Sequence, residues 1–264
     1  MNDREFAKLL RWFELSWEGY RKVRKGVKKR ISHHMQELGC RSVDEYLERL
    51  GRDVELAGET ERLLAVSISR FFRDRYLWEV LESRVVPELI ATRHGTIKVW
   101  SAGCARGEEI YSLKIVWCRL GMRLEALPAI EAWATDVNPV VLNMAKDGIY
   151  SRSSLKELPA ELLEACFEQI DKTRFAVRAS LKEGIVWRVH NLLRDDPPQV
   201  DFHLIFLRNS LLTYYEDPLR KNALSRVLNA LVPGGLLIIG AKEHMPQTDA
   251  LEPTLYRSDI WRRV

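Results

Sequence analysis

The fold of this chain is decided by residues 97–109, which read IKVWSAGCARGEE. The apolar run at the start of this segment is typical of a buried strand, and a helical pattern follows over residues 110–119. Glycines at positions 103 and 107 allow the backbone of the intervening loop to pass close to a ligand. A strand, a glycine-bearing loop and a helix in this order predict a ligand site at the carboxyl end of a parallel strand.

The same alternation continues to the end of the chain. Further apolar runs cover residues 130–134, 202–207 and 236–240, and helical patterns cover residues 139–146 and 218–231. Short strands that alternate with helices predict an α/β fold with a mainly parallel sheet covered by helices on both faces.

One stretch, residues 166–190, departs from this alternation. Its apolar residues recur at every second position, which is the period of a half-buried strand; they are Phe175, Val177, Ile185, Trp187 and Val189. We therefore predict a small antiparallel β-subdomain inserted over residues 166–190.

The start of the chain has a helical pattern instead. A helix rich in basic residues is predicted over residues 20–38, and Ser42 with Glu45 has the spacing of a capping box for a helix that ends at Gly51. We predict an all-α N-terminal domain over residues 1–75 and a ligand-binding domain over residues 76–264.

The composition excludes several classes of protein. With 46% hydrophobic residues, 30% charged residues and a net charge of +4, the chain is an ordinary globular protein that can bury a sizeable core. The four cysteines form no CxxC pair, which favours reduced thiols over a disulfide framework or a zinc site. The N-terminus lacks a signal-peptide pattern, and no apolar stretch approaches the ~20 residues that span a bilayer, so we predict a cytoplasmic protein without membrane insertion.

Two acids at the end of residues 97–109, which we call the deciding segment, limit the choice of ligand. The loop lacks the GxGxxG pattern of dinucleotide sites, and Glu108 and Glu109 would repel a pyrophosphate. A cofactor with a ribose, an adenine and a cationic sulfonium tolerates these carboxylates better. The alternative is that both acids only complete a helix N-terminus.

Polar residues also follow the other predicted strands. Asp136 ends the second strand, where an acid accepts hydrogen bonds from ribose hydroxyls in nucleotide-binding folds; an aspartate that caps the next helix is the alternative. Arg208 and Asn209 follow the run 202–207 and are placed to face a cofactor. Asn191 follows another strand and is placed to present its amide to an adenine.

In combination, these segments resemble the CheR family of chemoreceptor glutamate methyltransferases. The resemblance extends over nearly the whole chain and is most specific at residues 71–74 (FFRD), 100–112 (WSAGCARGEEIYS), 134–136 (ATD), 191–192 (NL) and 208–209 (RN). It implies a helical domain followed by a Rossmann-like domain with a small β-subdomain. It also implies S-adenosyl-L-methionine (SAM) as methyl donor, S-adenosyl-L-homocysteine (SAH) as product, and glutamate methyl esters on chemoreceptor-type proteins.

The resemblance implies a role for each matching residue. Glu109 and Asp136 would hold the amino-acid part and the ribose of SAM, and Asn191 with Leu192 would border the adenine. The remaining implied cofactor contacts are Ser67, Ser69, Arg73, Gly103, Arg208 and Asn209.

Two departures from the family pattern affect this site. The family has Asn and Thr where this chain has Ser67 and Ser69, and it usually has an active-site tyrosine where this chain has Thr213. Tyr214 is the next residue, and three interpretations are open. Tyr214 takes over with a shift of one residue, or it packs in the core, or this chain handles its acceptor differently.

The implied reaction needs little chemistry from the protein. A glutamate carboxylate has a pKa near ~4.3 and is ionised at neutral pH, so we expect no general base, no cysteine nucleophile and no metal. Catalysis would come mainly from the alignment of the two reactants. We predict that Arg73 orients the acceptor carboxylate by bidentate contact, with Tyr214 as a second catalytic candidate.

A basic run predicts the partner. Seven basic residues and no acid occur between Gly19 and Ile31, from Arg21 to Arg30. Such a surface attracts acidic partners, and the resemblance implies the cytoplasmic helices of a chemoreceptor; a solvated helix face is the alternative. The mild net charge and the lack of interleaved aromatics argue against nucleic acid, and a monomer is the default.

Two other functions stay open on the sequence alone. The changes at Ser67 and Thr213 are compatible with a SAM-binding signalling module that has weak or altered catalysis. A SAM methyltransferase that acts on another carboxylate acceptor, such as a small carboxylic acid, is the second.

Overall fold

Five helices form the start of the chain, of which the computed structural model describes residues 1–93, 95–124 and 126–264. They are α1 (Asp3–Trp12), α2 (Trp17–Tyr20), α3 (Arg24–Glu37), α4 (Val43–Arg52) and α5 (Val54–Leu64). Asn2 and Glu5 cap α1 reciprocally, and Ser42 caps α4. The apolar faces of these helices enclose a core of their own, with Phe6, Ile31 and Tyr46 at its centre.

Two helix boundaries in this part differ from the prediction. α4 runs through Gly51 to Arg52, because Asp53 with its extended backbone ends α4 and accepts from Leu56 N to begin α5. The basic helix begins at Arg24, because the shorter helix α2 and a turn precede it. A glycine with ordinary negative φ does not end a helix, and an aspartate cap two residues later does.

A seven-stranded sheet forms the centre of the second part. In spatial order its strands are β6 (Ile185–Val189), β2 (Ile130–Asp136), β1 (Ile97–Ala102), β7 (Phe202–Leu207), β8 (Leu231–Ile239), β10 (Ile260–Arg263) and β9 (Leu251–Pro253). The strands from β6 to β8 are parallel, and β10 is antiparallel to both of its neighbours. Apolar clusters cover both faces, which explains the uninterrupted apolar runs and confirms the predicted α/β class.

Helices connect and cover these strands. They are α6 (Arg75–Val80), α7 (Val86–Thr92), α8 (Glu108–Gly121), α9 (Pro139–Asp147), α10 (Ala160–Cys166), α11 (Ala179–Lys182), α12 (Leu211–Tyr214) and α13 (Leu219–Asn229). A π-helical turn, Leu81–Val85, joins α6 to α7. In the described residues, no helix is long and apolar enough to cross a membrane.

A second, three-stranded antiparallel sheet has boundaries that differ from the predicted insertion. Its strands are, in order, β3 (Ile149–Ser151), β5 (Arg174–Val177) and β4 (Phe167–Gln169). Residues 185–189, which the period of two assigned to the 166–190 insertion, instead form β6 and pair in parallel with β2. β6 is an edge strand with partly exposed side chains, so it shows the same period as a strand of a small subdomain.

The strand order reverses beside β1. β2 lies on one side of β1 and β7 on the other, so the loops that follow β1 and β7 meet at the carboxyl edge of the sheet. Open parallel sheets bind ligands at such a switch point.

Candidate functional site

The loop after β1 is held close to its neighbours. Gly103 has φ +81°, and the N–H groups of Gly103 and Cys104 donate to Thr135 O at 2.9 and 2.8 Å. A Cβ on Gly103 would lie 3.2 Å from Ser210 Cβ. Position 103 therefore requires glycine both for its left-handed backbone and for its contact with the loop after β7.

Asp136, at the end of β2, presents a buried carboxylate to this loop. Its Oδ2 accepts from Ala105 N and its Oδ1 from Asn138 N, both at 2.9 Å. Burial raises the pKa of Asp136, and the backbone donors oppose that shift. Asn138 caps α9, since its Oδ1 accepts from Val140 N (3.0 Å), so Asp136 is not needed for that cap. Each carboxylate oxygen keeps a lone pair for a further donor.

Arg208, directly after β7, lies between two carboxylates. Its Nη1 donates to Glu109 Oε2 at 3.1 Å, and its Nη2 donates to Asp74. The Oγ of Ser101 donates to the other oxygen of Glu109 at 2.8 Å. This network fixes Glu109 at the start of α8 and satisfies most of the buried guanidinium.

The two acids of the deciding segment have different environments. Glu109 lines the cavity described below, whereas Glu108 is 1% exposed and lies outside that lining. Burial raises the pKa of Glu108. The sequence argument from paired acids therefore depends on Glu109, and Asp74 is the second carboxylate of the network.

A cavity that is partly open to solvent lies at these strand ends; we call it the strand-end cavity. Six of the predicted cofactor contacts line it: Ser69, Arg73, Gly103, Glu109, Arg208 and Asn209. Its other lining residues are Val66, Ile68, Arg70, Trp78, Cys104 and Ala105. The six predicted contacts therefore face one common space at the carboxyl edge of the sheet.

A wider groove opens between the N-terminal helices and the sheet; we call it the basic groove. Its basic lining residues are Arg21, Lys22, Arg24, Arg70, Arg73, Arg75, Arg220 and Lys242. Five residues line both the basic groove and the strand-end cavity: Val66, Ile68, Arg70, Arg73 and Asn209. The two spaces therefore share one wall.

Arg73 lies in this shared wall and has only neutral partners. Its Nη1 donates to Ile68 O and its Nη2 to Asn209 Oδ1, each at 3.2 Å. Within the described ranges, no carboxylate forms an ion pair with Arg73. Trp78 Nε1 donates to the carbonyl of Arg73 at 2.9 Å and so fixes its backbone.

Four predicted cofactor contacts lie outside the lining of the strand-end cavity: Asp136, Ser67, Asn191 and Leu192. Ser67 is half-buried beside it. Asn191 Oδ1 accepts from Leu193 N at 2.9 Å, and its Nδ2 donates to Glu61 at 3.3 Å. Leu192 O accepts from Arg226. The loop that carries Asn191 still lies beside Asp136, because His190 N donates to Asp136 O at 3.0 Å.

Thr213 and Tyr214 line the basic groove rather than the strand-end cavity. The Thr213 hydroxyl donates to Glu243. Tyr214 packs edge-to-face on Tyr20 with ring centroids 5.0 Å apart and joins the core of the N-terminal helices. Burial raises the pKa of Tyr214, which keeps its hydroxyl protonated. Tyr214 thus contributes packing, while part of it faces the groove.

The basic run is divided by the fold. Arg21, Lys22 and Arg24 line the basic groove. Lys28 instead pairs with Asp3 at 2.9 Å, and Arg30 donates to Leu63 O and Ala65 O. Only the first part of the run is therefore available at the groove.

Sequence reasoning missed several residues of the site. Asp74 could have been found, because it directly follows Arg73. Trp78, Glu61 and Glu243 carry no local signal, since they reach the site from α6, α5 and the loop after β8.

Comparison with known proteins gives a consistent result. Residues 67–258 match the family described as CheR methyltransferase, SAM binding domain. The chain is 32% identical to a chemotaxis protein methyltransferase of Listeria innocua, with 83% of this chain and 81% of that protein covered. It is 31% identical to chemotaxis protein methyltransferase 1 of Pseudomonas aeruginosa, with 82% and 81% covered.

A longer relative shows the same segment in another context. An uncharacterized 104.1 kDa protein of Rhodobacter capsulatus is 30% identical over 90% of this chain, and the chain spans 25% of its length.

Proposed function

The chain belongs to the CheR family of SAM-dependent methyltransferases, and we propose that it forms methyl esters of glutamate side chains on chemoreceptor-type proteins. One observation carries the proposal. Arg73 lies in the wall shared by the strand-end cavity and the basic groove, and among the residues that the structure describes its guanidinium has only neutral partners. An arginine in this position is suited to hold a carboxylate that enters from the groove beside a cofactor in the cavity.

The residues of the strand-end cavity fit SAM. The left-handed Gly103 leaves the loop after β1 without a side chain at its closest approach to the loop after β7. In the lining, Glu109 offers carboxylate oxygens to an ammonium group and Trp78 offers an aromatic ring to a cation. Asp136 lies behind the lining residue Ala105 and offers its carboxylate to ribose hydroxyls. A pyrophosphate would meet Glu109 at the same place, which disfavours a dinucleotide.

The chemistry proposed for the protein is alignment. Bound SAM supplies a methyl group on a positively charged sulfur, and the acceptor carboxylate supplies the electron pair for the new C–O bond. Arg73 would hold the acceptor carboxylate at the shared wall so that one carboxylate oxygen faces the methyl group in the strand-end cavity. Neither His nor Cys is required to move a proton, because the acceptor is ionised at neutral pH. Alignment of this kind is worth up to ~7–11 kcal/mol of the barrier.

The partner proposed for the basic groove is an acidic helix of a chemoreceptor. Lys22 and Lys242 line the groove, and within the described part of the chain neither is paired with an acid. Arg21 and Arg24 line it as well, although each has an acidic neighbour, Glu18 and Asp3. These charges would steer an acidic helix to Arg73 in a cytoplasmic, monomeric enzyme.

The test uses SAM labelled in its methyl group and purified cytoplasmic fragments of chemoreceptors. We expect label that runs with the receptor protein and is released by base, as for a carboxyl ester. Arg73→Ala should lower transfer about 100-fold while SAH binding is retained, and Arg73→Lys should restore only part of the rate.

Each contrary outcome has a defined meaning. SAH binding without label on any receptor fragment would indicate a SAM-binding signalling module. Base-labile label that does not run with protein would indicate a small carboxylic acid as acceptor. Full transfer by Arg73→Ala would exclude the proposed role of Arg73.

A further inference from the structure

Glu243, in the loop after β8, connects three segments of the site. Its Oε2 accepts from Asn209 N at 2.9 Å and from Gly240 N at 2.6 Å, and its Oε1 accepts from the Thr213 hydroxyl. The three donors belong to the ends of β7 and β8 and to α12. One carboxylate thus joins the loops at the floor of the basic groove.

The space around this carboxylate is tightly filled. A Cβ on Gly240 would lie 2.8 Å from Glu243 Oε2 and 3.0 Å from Asn209 Oδ1. Glycine at position 240 is therefore what allows the side chains of Glu243 and Asn209 to lie together. A larger residue there would displace one of them.

Asn209 is the link from Glu243 to Arg73. Its backbone is left-handed with φ +52°, a conformation that asparagine adopts more readily than most residues and that hydrogen bonds to its backbone support. Glu243 provides that support through Asn209 N, and Asn209 Oδ1 in turn accepts from Arg73 Nη2 at 3.2 Å. A charged acceptor makes the stronger kind of hydrogen bond to such an N–H group.

We propose that Glu243 is a positioning residue for methyl transfer, which acts by holding Asn209 so that Asn209 fixes the guanidinium of Arg73 toward the acceptor carboxylate. The proposal rests on the function proposed above and adds a residue to it. In this role Glu243, which lines the basic groove, acts through Asn209 and not directly on the reactants. Its three donors come from Asn209, Gly240 and Thr213, and among the described residues it forms no ion pair with Arg73.

The test separates positioning from stability. We expect Glu243→Ala to lower kcat with a receptor fragment about 100-fold, because a displacement of about 1 Å at the reacting groups has this effect. The Kd for SAH should change far less, because the other residues that line the cavity stay in place. Glu243→Gln keeps the shape but loses the charge, so its kcat should lie between those of Glu243→Ala and the wild type. Thr213→Val removes one donor of three and should have the smallest effect. Glu252→Ala, an exposed carboxylate on β9, is the matched control and should equal the wild type.

Several outcomes would overturn the proposal. A wild-type kcat in Glu243→Gln and Glu243→Ala excludes it, and so does a loss of SAH affinity equal to the loss of transfer, since that indicates general damage. If Glu243→Ala does not fold, the decision rests on Glu243→Gln and Thr213→Val.

A crystal structure of Glu243→Ala with SAH tests the inference without any acceptor. We expect the contact between Arg73 Nη2 and Asn209 Oδ1 to be lost, and an unchanged contact would contradict the inference. Failure of the wild type to methylate any receptor fragment would instead reject the proposed acceptor, whatever this structure shows.

Discussion

The strand-end cavity and the basic groove share a wall, yet they use arginine in opposite ways. In the cavity, Arg208 is 8% exposed, and its guanidinium contacts the carboxylates of Glu109 and Asp74. In the shared wall, Arg73 donates only to a carbonyl and to an amide. A buried charge needs opposite charges to offset its desolvation, whereas an arginine meant for an incoming carboxylate must be left without one.

The contrast separates two kinds of arginine that look alike in the sequence. Arg208 builds the cavity, and its removal should damage both folding and cofactor binding. Arg73 contributes little to the stability of the fold, so its removal should lower the rate of methyl transfer instead. The four predictions that follow test the division of roles between the strand-end cavity and the basic groove, from the largest expected effect to the smallest.

Arg208→Met should have the largest effect. It leaves the carboxylates of Glu109 and Asp74 without their shared cation, and breaking a buried pair of this kind lowers the free energy of unfolding by about 3–5 kcal/mol. Asp74 is one-third exposed, so we expect the lower end of that range. Urea unfolding measures the effect.

Arg75→Met is the matched control for Arg208→Met. Its ion pair with Glu79 is exposed on both sides, so the loss should stay below about 1 kcal/mol. Equal losses for the two variants would remove the distinction between a buried structural arginine and a surface one.

Gly103→Ala should rank second, because a side chain in the left-handed region costs about 1–2 kcal/mol. The added Cβ also presses on Ser210, so SAH affinity should fall, as isothermal calorimetry can measure. Gly26→Ala is the control, since nothing lies within 4 Å of its Cβ in helix α3, and it should stabilise the protein by about 0.5–1 kcal/mol. Unchanged SAH affinity in Gly103→Ala would place the cofactor away from this loop.

The pH dependence of SAH binding should reveal Asp136. Because burial raises the pKa of Asp136, the loss of its ionised form begins at a higher pH than for an ordinary aspartate. We expect SAH affinity to fall as pH falls through this pKa. The free energy of unfolding should change in the opposite direction to SAH affinity. Ionised Asp136 lowers the stability of the protein above its pKa, and this loss disappears as the pH falls.

Asp136→Asn is the reference for this pH dependence. The variant should bind SAH weakly and should lack both pH-dependent contributions, as calorimetry and unfolding across the acid range can measure. If it keeps the wild-type pH profile of SAH binding, another group is responsible.

Lys22→Glu should have the smallest effect and concern the groove alone. We expect KM for a receptor fragment to rise about threefold to tenfold at low salt, with little change at high salt or in kcat. Lys25→Glu makes the same charge change on an exposed residue of the basic run outside the groove lining, and it should leave KM near the wild-type value. An equal effect of both variants would mean that the partner binds the whole basic run rather than only the residues that line the groove.

Most of the fold could be predicted from local patterns. The run 202–207 coincides with β7, because a strand buried on both faces is a continuous apolar segment. The element boundaries that differ from the prediction depended on contacts with neighbouring residues and strands. Gly51 did not end α4, because Asp53 is a better cap, and residues 185–189 joined the main sheet because β2 offered a parallel edge.

The cofactor side of the site was also largely accessible to sequence reasoning. Gly103, Arg208 and Asn209 follow strands closely, and Glu109 lies in the first turn of the helix after β1. Parallel strands bring their carboxyl ends together, so these residues meet at one edge of the sheet. The residues that line the basic groove were not predictable in this way, because the geometry of the groove depends on how the N-terminal helices lie against the sheet. Tyr214 is an example, since its packing on Tyr20 joins residues almost two hundred positions apart.

The sequence alone therefore determined the fold class, the family and the residue types at the strand ends, because these depend on local periodicity and on motifs within a few residues. Only the tertiary structure decided which charges are paired. It assigned carboxylates to Arg208 and neutral partners to Arg73, divided the basic run between the groove and contacts with other N-terminal residues, and brought Glu243 to Asn209. The reason is physical: the pairing of a charge depends on distances across the fold, and these are not written in the spacing of residues along the chain.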